Sequence, residues 1–439
     1  MPRHQVPFAF LVLSALSACH EPPPSEPGLS PLATGSTVAL VQAAVERTED
    51  LDYDAIEALV RDAVARAGGF GDLVVGARTV VLKPNICCRA EEGPTGVDTD
   101  WRVTRAVAVL VRELAPTAEI LVMEGAAIDT VGLMELVGYT HENLPEVDEF
   151  IGLGQASGGW QEYDAPELVA VELPQGLVEQ LYYMNRRYYE ADVLVSLPVL
   201  KTHGLTAVTG AIKNVGIGGT PGNIYGMSES MQVRAATIDH HSVELHQWIR
   251  DYFLVRPVDY SVMDGLQGLE NGPSGHDVMN KRLALASPDS VALDAVASLV
   301  MGWDPRTIEY LRLLDADGMG VVDSARITVE GVHIDEVAEP FEVKDEGLAY
   351  PVSPVTDDVP PALGIRSATL AGDRLDLALL LDADTVRVEL FLDGQRLSAH
   401  TEELSDLRVA VPEGLRGART LLVEAFDRAR NRSSASAEL

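Results

Sequence analysis

Cysteine is scarce in this sequence of 439 residues, which contains three of them. So few cysteines cannot form a disulfide framework, and the lack of a CxxC pair or a four-cysteine group argues against an iron–sulfur cluster held by this chain's own cysteines. Cys87 and Cys88 are adjacent, and neighbouring Cα atoms lie closer than a disulfide prefers. This pair therefore indicates either two buried thiols or a soft metal or redox site.

Basic residues are also few, with 33 Lys and Arg against 67 Asp and Glu and a net charge of −34. Such a field repels nucleic acid and anionic membrane, which excludes both as direct partners. The chain is 46% hydrophobic and 23% charged, as in folded soluble proteins, and its length predicts two domains.

One apolar run stands out, at residues 6–18, after Arg3. It is too short for a transmembrane helix and is typical of a secretory signal. Leu16-Ser17-Ala18-Cys19 resembles a bacterial lipobox, which implies cleavage before Cys19 and a lipid attached to it. An ordinary secretory signal is the alternative. The resemblance predicts a signal peptide at 1–19, a Pro-rich spacer at 20–36, and a lipid anchor in the outer membrane facing the periplasm or the cell surface.

Strands and helices alternate between residues 37 and 345. Apolar strands are predicted at 37–41, 78–82, 119–123, 191–197 and 258–263, and helices at 53–67, 101–114, 242–253, 288–301 and 305–314. Residues 140–190 are less regular and suggest an insertion. The pattern predicts an α/β domain with a largely parallel sheet and helices on both faces.

The C-terminal part differs in composition. Residues 346–361 form a Pro-rich, acidic linker, and residues 362–439 contain short alternating strands with a hairpin signal at Asp393-Gly394. These strands resemble bacterial immunoglobulin-like domains, which implies an all-β immunoglobulin-like sandwich. We expect it to act as a spacer or to attach the chain to an envelope or surface partner.

Polar residues follow four of the apolar strands directly. They are Lys83 and Asn85 after the second strand, Glu124 after the third, Lys201 and His203 after the fourth, and Asp264 after the fifth. In parallel α/β sheets ligands bind beyond the carboxyl ends of the strands. If the four strands are neighbours, these side chains meet in one crevice.

The residue types indicate the chemistry. Lys83, Lys201 and Lys213 are cations in an acidic protein and favour a carboxylate or phosphate ligand. A buried lysine can also act as a base or a Schiff-base nucleophile. His203 can transfer a proton or bind a metal, and Glu124 and Asp264 can balance the lysines or bind a cation. Each residue taken alone is also consistent with a salt bridge or a turn.

Three further features stand out. The glycine-rich stretch 213–223 predicts either close backbone approach to a ligand or a flexible turn. His241, in the cluster 239–246, is a weak metal-ligand candidate, whereas His246 is expected on the surface. Asp294 lies inside an otherwise apolar helix, which Ser287 is expected to cap.

The motifs KPN, TD before a helix, EG after a strand, LPVLKTH, TGAIKN, DG…NGP and PDSVALDAVAS, in this order, resemble the DUF362 family over residues 75–320. The family has no settled general function, so the resemblance identifies a site and leaves the reaction open. Some members carry a ferredoxin-like iron–sulfur module, whose cysteines this chain lacks. The residues that match the family pattern are Lys83, Asn85, Asp100, Glu124, Lys201, His203, Lys213, Asn214, His241, Asp264, Gly272, Pro273 and Asp294.

Several functions are consistent with this sequence. The first is an enzyme for a small anionic ligand, with Lys201, His203 and Lys213 as catalytic residues. A metal or cofactor of unknown identity could share its crevice. The others are a non-catalytic surface receptor, an envelope structural protein, and a redox protein that depends on a partner's cluster. The predicted ligand-binding residues are Lys83, Asn85, Glu124, Asn214 and Asp264.

Overall fold

The computed structural model describes residues 35–86, 96–125, 130–153, 167–225, 244–344, 348, 350, 352–355 and 359–439. The predictions for Cys19, Cys87, Cys88 and His241 concern positions outside these residues. In the part of the chain that is described, no helix has the length and apolarity needed to cross a membrane.

The strands of the first domain are β1 (Ser36–Gln42), β2 (Thr79–Pro84), β3 (Glu119–Glu124), β4 (Glu149–Gly152), β5 (Leu168–Glu172), β6 (Leu181–Asn185), β7 (Val193–Leu197), β8 (Val199–His203), β9 (Ala207–Val208), β10 (Tyr260–Leu269), β11 (Val278–Ser287) and β12 (Ile327–Gly331). Among the described residues, ten of these strands form one sheet with the order β12-β1-β11-β10-β7-β2-β3-β4. Strand β8 pairs with β10 and β9, and β5 and β6 form a separate hairpin.

The central sheet is mixed but largely parallel. Strands β10, β7, β2, β3 and β4 pair in parallel in that order, as do β1 with β12 and β8 with β10. Strand β11 runs antiparallel to both β1 and β10. The predicted α/β class is confirmed.

The helices are α1 (Tyr53–Arg66), α2 (Gly71–Val74), α3 (Trp101–Leu114), α4 (Thr130–Leu136), α5 (Arg186–Tyr189), α6 (Gly210–Gly218), α7 (Gly222–Tyr225), α8 (Glu244–Val255), α9 (Ser290–Val300), α10 (Glu309–Ala316) and α11 (Ile334–Val337). They cover both faces of the sheet because successive strand residues point to opposite sides. Val80 and Leu82 pack in the cluster that contains α1 and α3. Val81 packs in the cluster that contains α6, α8, α9 and α10.

Two predicted helix starts are wrong. Helix α9 begins after Asp289, whose carboxylate accepts a hydrogen bond from Ala292 N at 2.9 Å. Ser287 lies two residues earlier, and its Oγ accepts from Asp289 N at 3.0 Å. The helix expected from residue 305 begins instead at Glu309, because Pro305–Thr307 form a 3-10 turn capped by Asp304.

The C-terminal strands are β13 (Leu363–Ala371), β14 (Arg374–Leu381), β15 (Arg387–Leu392), β16 (Gln395–His400), β17 (Asp406–Ala410), β18 (Thr420–Phe426) and β19 (Arg432–Glu438). They form antiparallel sheets of order β13-β14-β17 and β16-β15-β18-β19 around one apolar cluster, as in a β-sandwich. The predicted hairpin turn is present, with positive φ at Asp393 and Gly394. Arg387 donates to Ala325 O at 3.1 Å and to Thr328 Oγ1 at 2.8 Å, which ties this unit to the β12 edge of the first domain.

Candidate functional site

The four strands that end in polar residues are neighbours in the sheet. The predicted strands at 78–82, 119–123, 191–197 and 258–263 correspond to β2, β3, β7 and β10, which lie side by side in the order β10-β7-β2-β3. Because all four are parallel, their carboxyl ends reach the same edge of the sheet. The four strands are therefore neighbours, which is the condition under which the polar residues after them meet at one edge of the sheet.

A buried ion pair lies at the centre of this edge. Lys83 Nζ contacts Glu124 Oε2, and it also donates to Pro84 O at 2.8 Å and to Asn214 Oδ1 at 3.1 Å. The two charged side chains are 0% and 2% exposed. Backbone amides hold the carboxylate, from Ile86 N to Oε2 at 3.2 Å and from Gly125 N to Oε1 at 2.8 Å. The pair is thus fixed from β2, β3 and α6 together.

Two asparagines extend this pair. Asn214 donates to Lys83 O at 2.9 Å and to Ser196 Oγ at 3.1 Å, which joins α6 to β2 and β7. Asn85 donates to Asn214 Oδ1 at 3.4 Å. Within the described residues, Asn85 Oδ1 is buried and makes no hydrogen bond. The site therefore contains an amide oxygen whose hydrogen-bonding capacity is unused.

The first part of the glycine-rich stretch is helical rather than a flexible turn. Residues 213–218 lie in α6, and Gly218 stands against the ion pair. A Cβ atom at Gly218 would lie 2.6 Å from Lys83 Nζ and 2.8 Å from Glu124 Oε1. Glycine at this position allows α6 to approach the ion pair closely, and the predicted approach to a ligand stays a prediction.

The segment 96–100 connects the ion pair with the other strand ends. Thr99 Oγ1 accepts from Asn85 N at 2.8 Å and donates to Leu197 O at 2.6 Å. Asp100 caps α3 through Arg102 N at 2.9 Å. Thr99 and Asp100 stand directly before α3, a position at which such residues commonly cap a helix. Their contacts with β2 and β7 depend on tertiary structure that the sequence pattern did not contain.

Asp264 fixes this segment to β10. Its Oδ2 accepts from Asp100 N at 2.8 Å, and its Oδ1 accepts from Leu266 N at 3.0 Å. Burial raises the pKa of Asp264 to about 7, and the negative charge of Asp100 adds to this effect. The carboxyl group thus positions backbone at the site.

Lys201, His203 and Lys213 are all buried, at 1%, 8% and 5% exposure. Lys201 donates to Val97 O at 2.5 Å and to Pro273 O at 3.3 Å, so it lies beside the segment 96–100. His203 is at the end of β8, where its Nδ1 accepts from Leu205 N at 3.0 Å. Through the segment 96–100, Lys201 is thus connected to Asn85 and the ion pair.

Asp294 of α9 fixes the first turn of α6. Its carboxylate accepts from Ala211 N at 2.6 Å and from Ile212 N at 3.1 Å, at the first turn of α6. Gly210, with φ of +63°, leaves room for it, because a Cβ there would lie 2.3 Å from Asp294 Oδ2. Burial raises the pKa of Asp294 to about 7. This residue of α9 therefore positions the helix that carries Lys213 and Asn214.

The prediction that His246 lies on the surface is wrong, because this residue is 1% exposed. Burial, followed by the positive charge of Lys213 of α6, lowers the pKa of His246 to about 4. Among the residues that the structure describes, no group of three or more His, Cys, Asp or Glu side chains could hold a metal ion.

A cavity of about 360 Å³ lies elsewhere, lined by residues of the first domain and of the sandwich that include Asp304, Arg306, Asp384 and Arg428. None of its lining residues is among the polar residues at the carboxyl ends of β2, β3, β7, β8 and β10. The charged and amide groups described above, rather than this cavity, define the candidate site.

Comparison with known proteins agrees with the family resemblance. Residues 80–298 match the family described as "Domain of unknown function (DUF362)". The chain is also 28% identical over 276 residues to the thylakoid-associated protein sll1697 of Synechocystis sp., across 62% of this chain and 78% of that protein.

Two solved structures are distantly similar. The lactate racemase apoprotein from Thermoanaerobacterium thermosaccharolyticum aligns with a TM-score of 0.36 and 12% identity, over 60% of this chain and 57% of that one. The spore cortex lytic enzyme SleM of Clostridium perfringens aligns with a TM-score of 0.19 and 9% identity, over 88% and 76% of the two chains. Similarity at this level carries no argument about activity. The match over residues 80–298 contains every described strand-end residue of the candidate site, and through this domain the chain belongs to the DUF362 family.

Proposed function

We propose that the α/β domain is an enzyme that binds a small carboxylate or phosphate ligand at the carboxyl ends of β2, β3, β7, β8 and β10. The observation that carries this proposal is the buried Lys83–Glu124 pair beside Asn85, whose buried Oδ1 makes no hydrogen bond within the described residues.

A structural role does not account well for this pair. Removing two charges from water is costly, and apolar side chains of similar volume are often equally stabilising or better at such positions. Three separate elements nevertheless converge to hold Lys83 and Glu124 in place. Active sites are where burial and specific charged partners are arranged to tune ionisable groups, so this pair marks a candidate functional site.

The proposed catalytic residues are Lys201, His203 and Lys213. A lysine fixed by backbone carbonyls, as Lys201 is, is well suited to stabilise negative charge that develops on a ligand oxygen. His203 would transfer a proton to or from the ligand, a role for which imidazole is generally suited near neutral pH. Asp264 and Asp294 would act by positioning the segment 96–100 and α6.

Binding is tested by thermal unfolding of the purified protein with inorganic phosphate or malonate. A ligand at roughly 100 times its dissociation constant stabilises a protein by about 2.7 kcal/mol, which raises the melting temperature. We expect this rise in the wild type and its loss in Lys201→Met. Lys281→Met is the matched control, because Lys281 is also buried, at 5% exposure, and donates to a backbone carbonyl, Val337 O at 2.6 Å, but lies on β11.

Two results would contradict the proposal. One is that neither anion raises the melting temperature of the wild type. The other is that Lys201→Met responds to the anions as Lys281→Met does.

We also propose that the protein is anchored to the outer membrane through a lipid on Cys19 and that its C-terminal sandwich meets an envelope partner. The relative from Synechocystis is described as thylakoid-associated, which is consistent with a membrane location. Cys19→Ser is expected to release the protein from the membrane fraction in cells. Retention of this variant at the wild-type level would contradict the anchor.

A further inference from the structure

His246 is a buried imidazole whose hydrogen-bonding groups find no partner in the part of the chain that the structure describes. Its side chain belongs to a residue that is 1% exposed, and within the described residues neither Nδ1 nor Nε2 has a hydrogen-bond partner. The backbone of Leu205 lies near enough to raise its pKa slightly, but not in hydrogen-bonding geometry. An unpartnered polar group in a protein interior is rare and commonly marks the place of a ligand, ion or water.

Aromatic rings and one lysine surround this imidazole. It stacks on Tyr310 at a centroid distance of 5.7 Å and meets Tyr350 edge-on at 5.2 Å. The charged groups that act on it are Lys213 of α6 and Glu309 of α10. Burial, followed by the charge of Lys213, lowers the pKa of His246 to about 4, whereas Glu309 and the Leu205 backbone oppose this shift.

The position of His246 is rigid. Trp248 of the same helix donates to Gly216 O at 3.1 Å, which fixes α8 on α6. Leu205, near His246, also donates to His203 Nδ1. The imidazole thus lies where the turn after β8 meets α6 and α8, near the proposed catalytic residue Lys213.

The packing alone does not require histidine. A phenylalanine ring would stack on Tyr310 equally well and would leave no polar atom without a partner. Histidine at this position therefore costs stability, and a ligand that used its nitrogens would offset that cost.

We propose that His246 is a ligand-binding residue and that its imidazole N–H and the ammonium of Lys213 together bind one anionic oxygen of a carboxylate or phosphate ligand. This inference rests on the proposed function and extends the site from the strand ends to α8. A neutral imidazole donates a hydrogen bond, while Lys213 supplies the charge.

The test compares His246→Phe with His333→Phe by calorimetric titration with inorganic phosphate and with malonate. His333 is a matched control, because it also stacks on an aromatic ring, Phe426 at 5.9 Å, but lies at the sandwich. We expect His246→Phe to weaken anion binding more than tenfold and to melt at or above the wild-type temperature. We expect His333→Phe to bind as the wild type does.

A second readout is the pH titration of the His246 ring signal by NMR, assigned by its loss in His246→Phe. The signal should titrate near pH 4 in the free protein and at higher pH with bound anion, because the negative charge favours the imidazolium.

The outcomes separate this inference from the proposed function. If the anions bind His246→Phe as tightly as the wild type, or if that variant melts well below it, the inference is overturned and the site at the strand ends stands. If neither anion binds the wild type, both are overturned.

Discussion

Replacing Lys83 by methionine is expected to lower the free energy of unfolding by about 3–5 kcal/mol, because it leaves the Glu124 carboxylate buried without its cation. The carboxylate is 2% exposed, so water cannot replace the lost partner. Chemical denaturation of the variant and the wild type measures the difference. This is the largest effect that we expect from a single change at the site.

Two further variants identify the cause of that loss. Lys281→Met should cost much less, because its partner Glu339 is 54% exposed and remains hydrated. The double variant Lys83→Met/Glu124→Gln should recover most of the stability, since glutamine is neutral and can still accept from a backbone amide. Equal losses in Lys83→Met and Lys281→Met, or no recovery in the double variant, would show that the buried charge is not the cause.

Replacing Asp294 by alanine is expected to be the second most damaging change. It removes the acceptor of two buried amides, Ala211 N and Ile212 N, each of which costs about 1–3 kcal/mol when left unpaired. The displacement of α6 should also move Lys213 and Asn214 and abolish anion binding. Asp289→Ala serves as a comparison, because it uncaps α9 rather than α6.

The pH dependence of stability gives Asp294 a separate signature. Burial raises its pKa from 3.8 to about 7, so the folded state binds a proton that the unfolded state has lost. The resulting stability is fully present below the unfolded pKa and is lost as the pH rises through about 7, a change on the order of 4 kcal/mol. Asp264 contributes in the same direction.

Urea denaturation between about pH 4 and about pH 8 measures this contribution. The unfolding free energy of the wild type should fall relative to that of Asp294→Asn as the pH rises, because asparagine does not titrate. A difference that is constant with pH, or that grows in favour of the wild type, would contradict the assignment.

The sheet and the location of the site could be predicted from the sequence. The runs RTVVL, EILVM, ADVLVSL and VDYSVM are continuous apolar segments, as expected of parallel strands covered on both faces. The polar residues that end them had a reason to lie together only if the strands were neighbours. The sequence does not encode strand order locally, and the structure supplies it.

Helix α6 shows why other parts could not be predicted. The segment GAIKNVGIG has three glycines and a low intrinsic helix propensity. It is helical because Asp294, more than seventy residues away in sequence, accepts hydrogen bonds from its first amides, and because it packs against the sheet and α8. Tertiary contacts override propensity here.

The burial of polar residues on helix α8 could not be predicted for a related reason. His246, Arg250 and Asp251 are polar, which predicts an exposed face, yet all three are buried. Arg250 and Asp251 pair with each other at 2.6 Å, and Arg250 also binds Asp317. The imidazole of His246 is the exception, because it has no hydrogen-bond partner within the described residues. The sequence contains no signal that distinguishes His246 from Arg250 and Asp251.

The central claim is that the carboxyl ends of the strands bind a small anion. Titration calorimetry with inorganic phosphate and malonate, on the wild type and on Lys83→Met/Glu124→Gln, tests it most directly because the double variant is expected to fold without the buried ion pair at the centre of the site. We predict saturable heat for at least one anion in the wild type and none in the variant. Absence of saturable heat in the wild type, or the same binding in both proteins, would contradict the account.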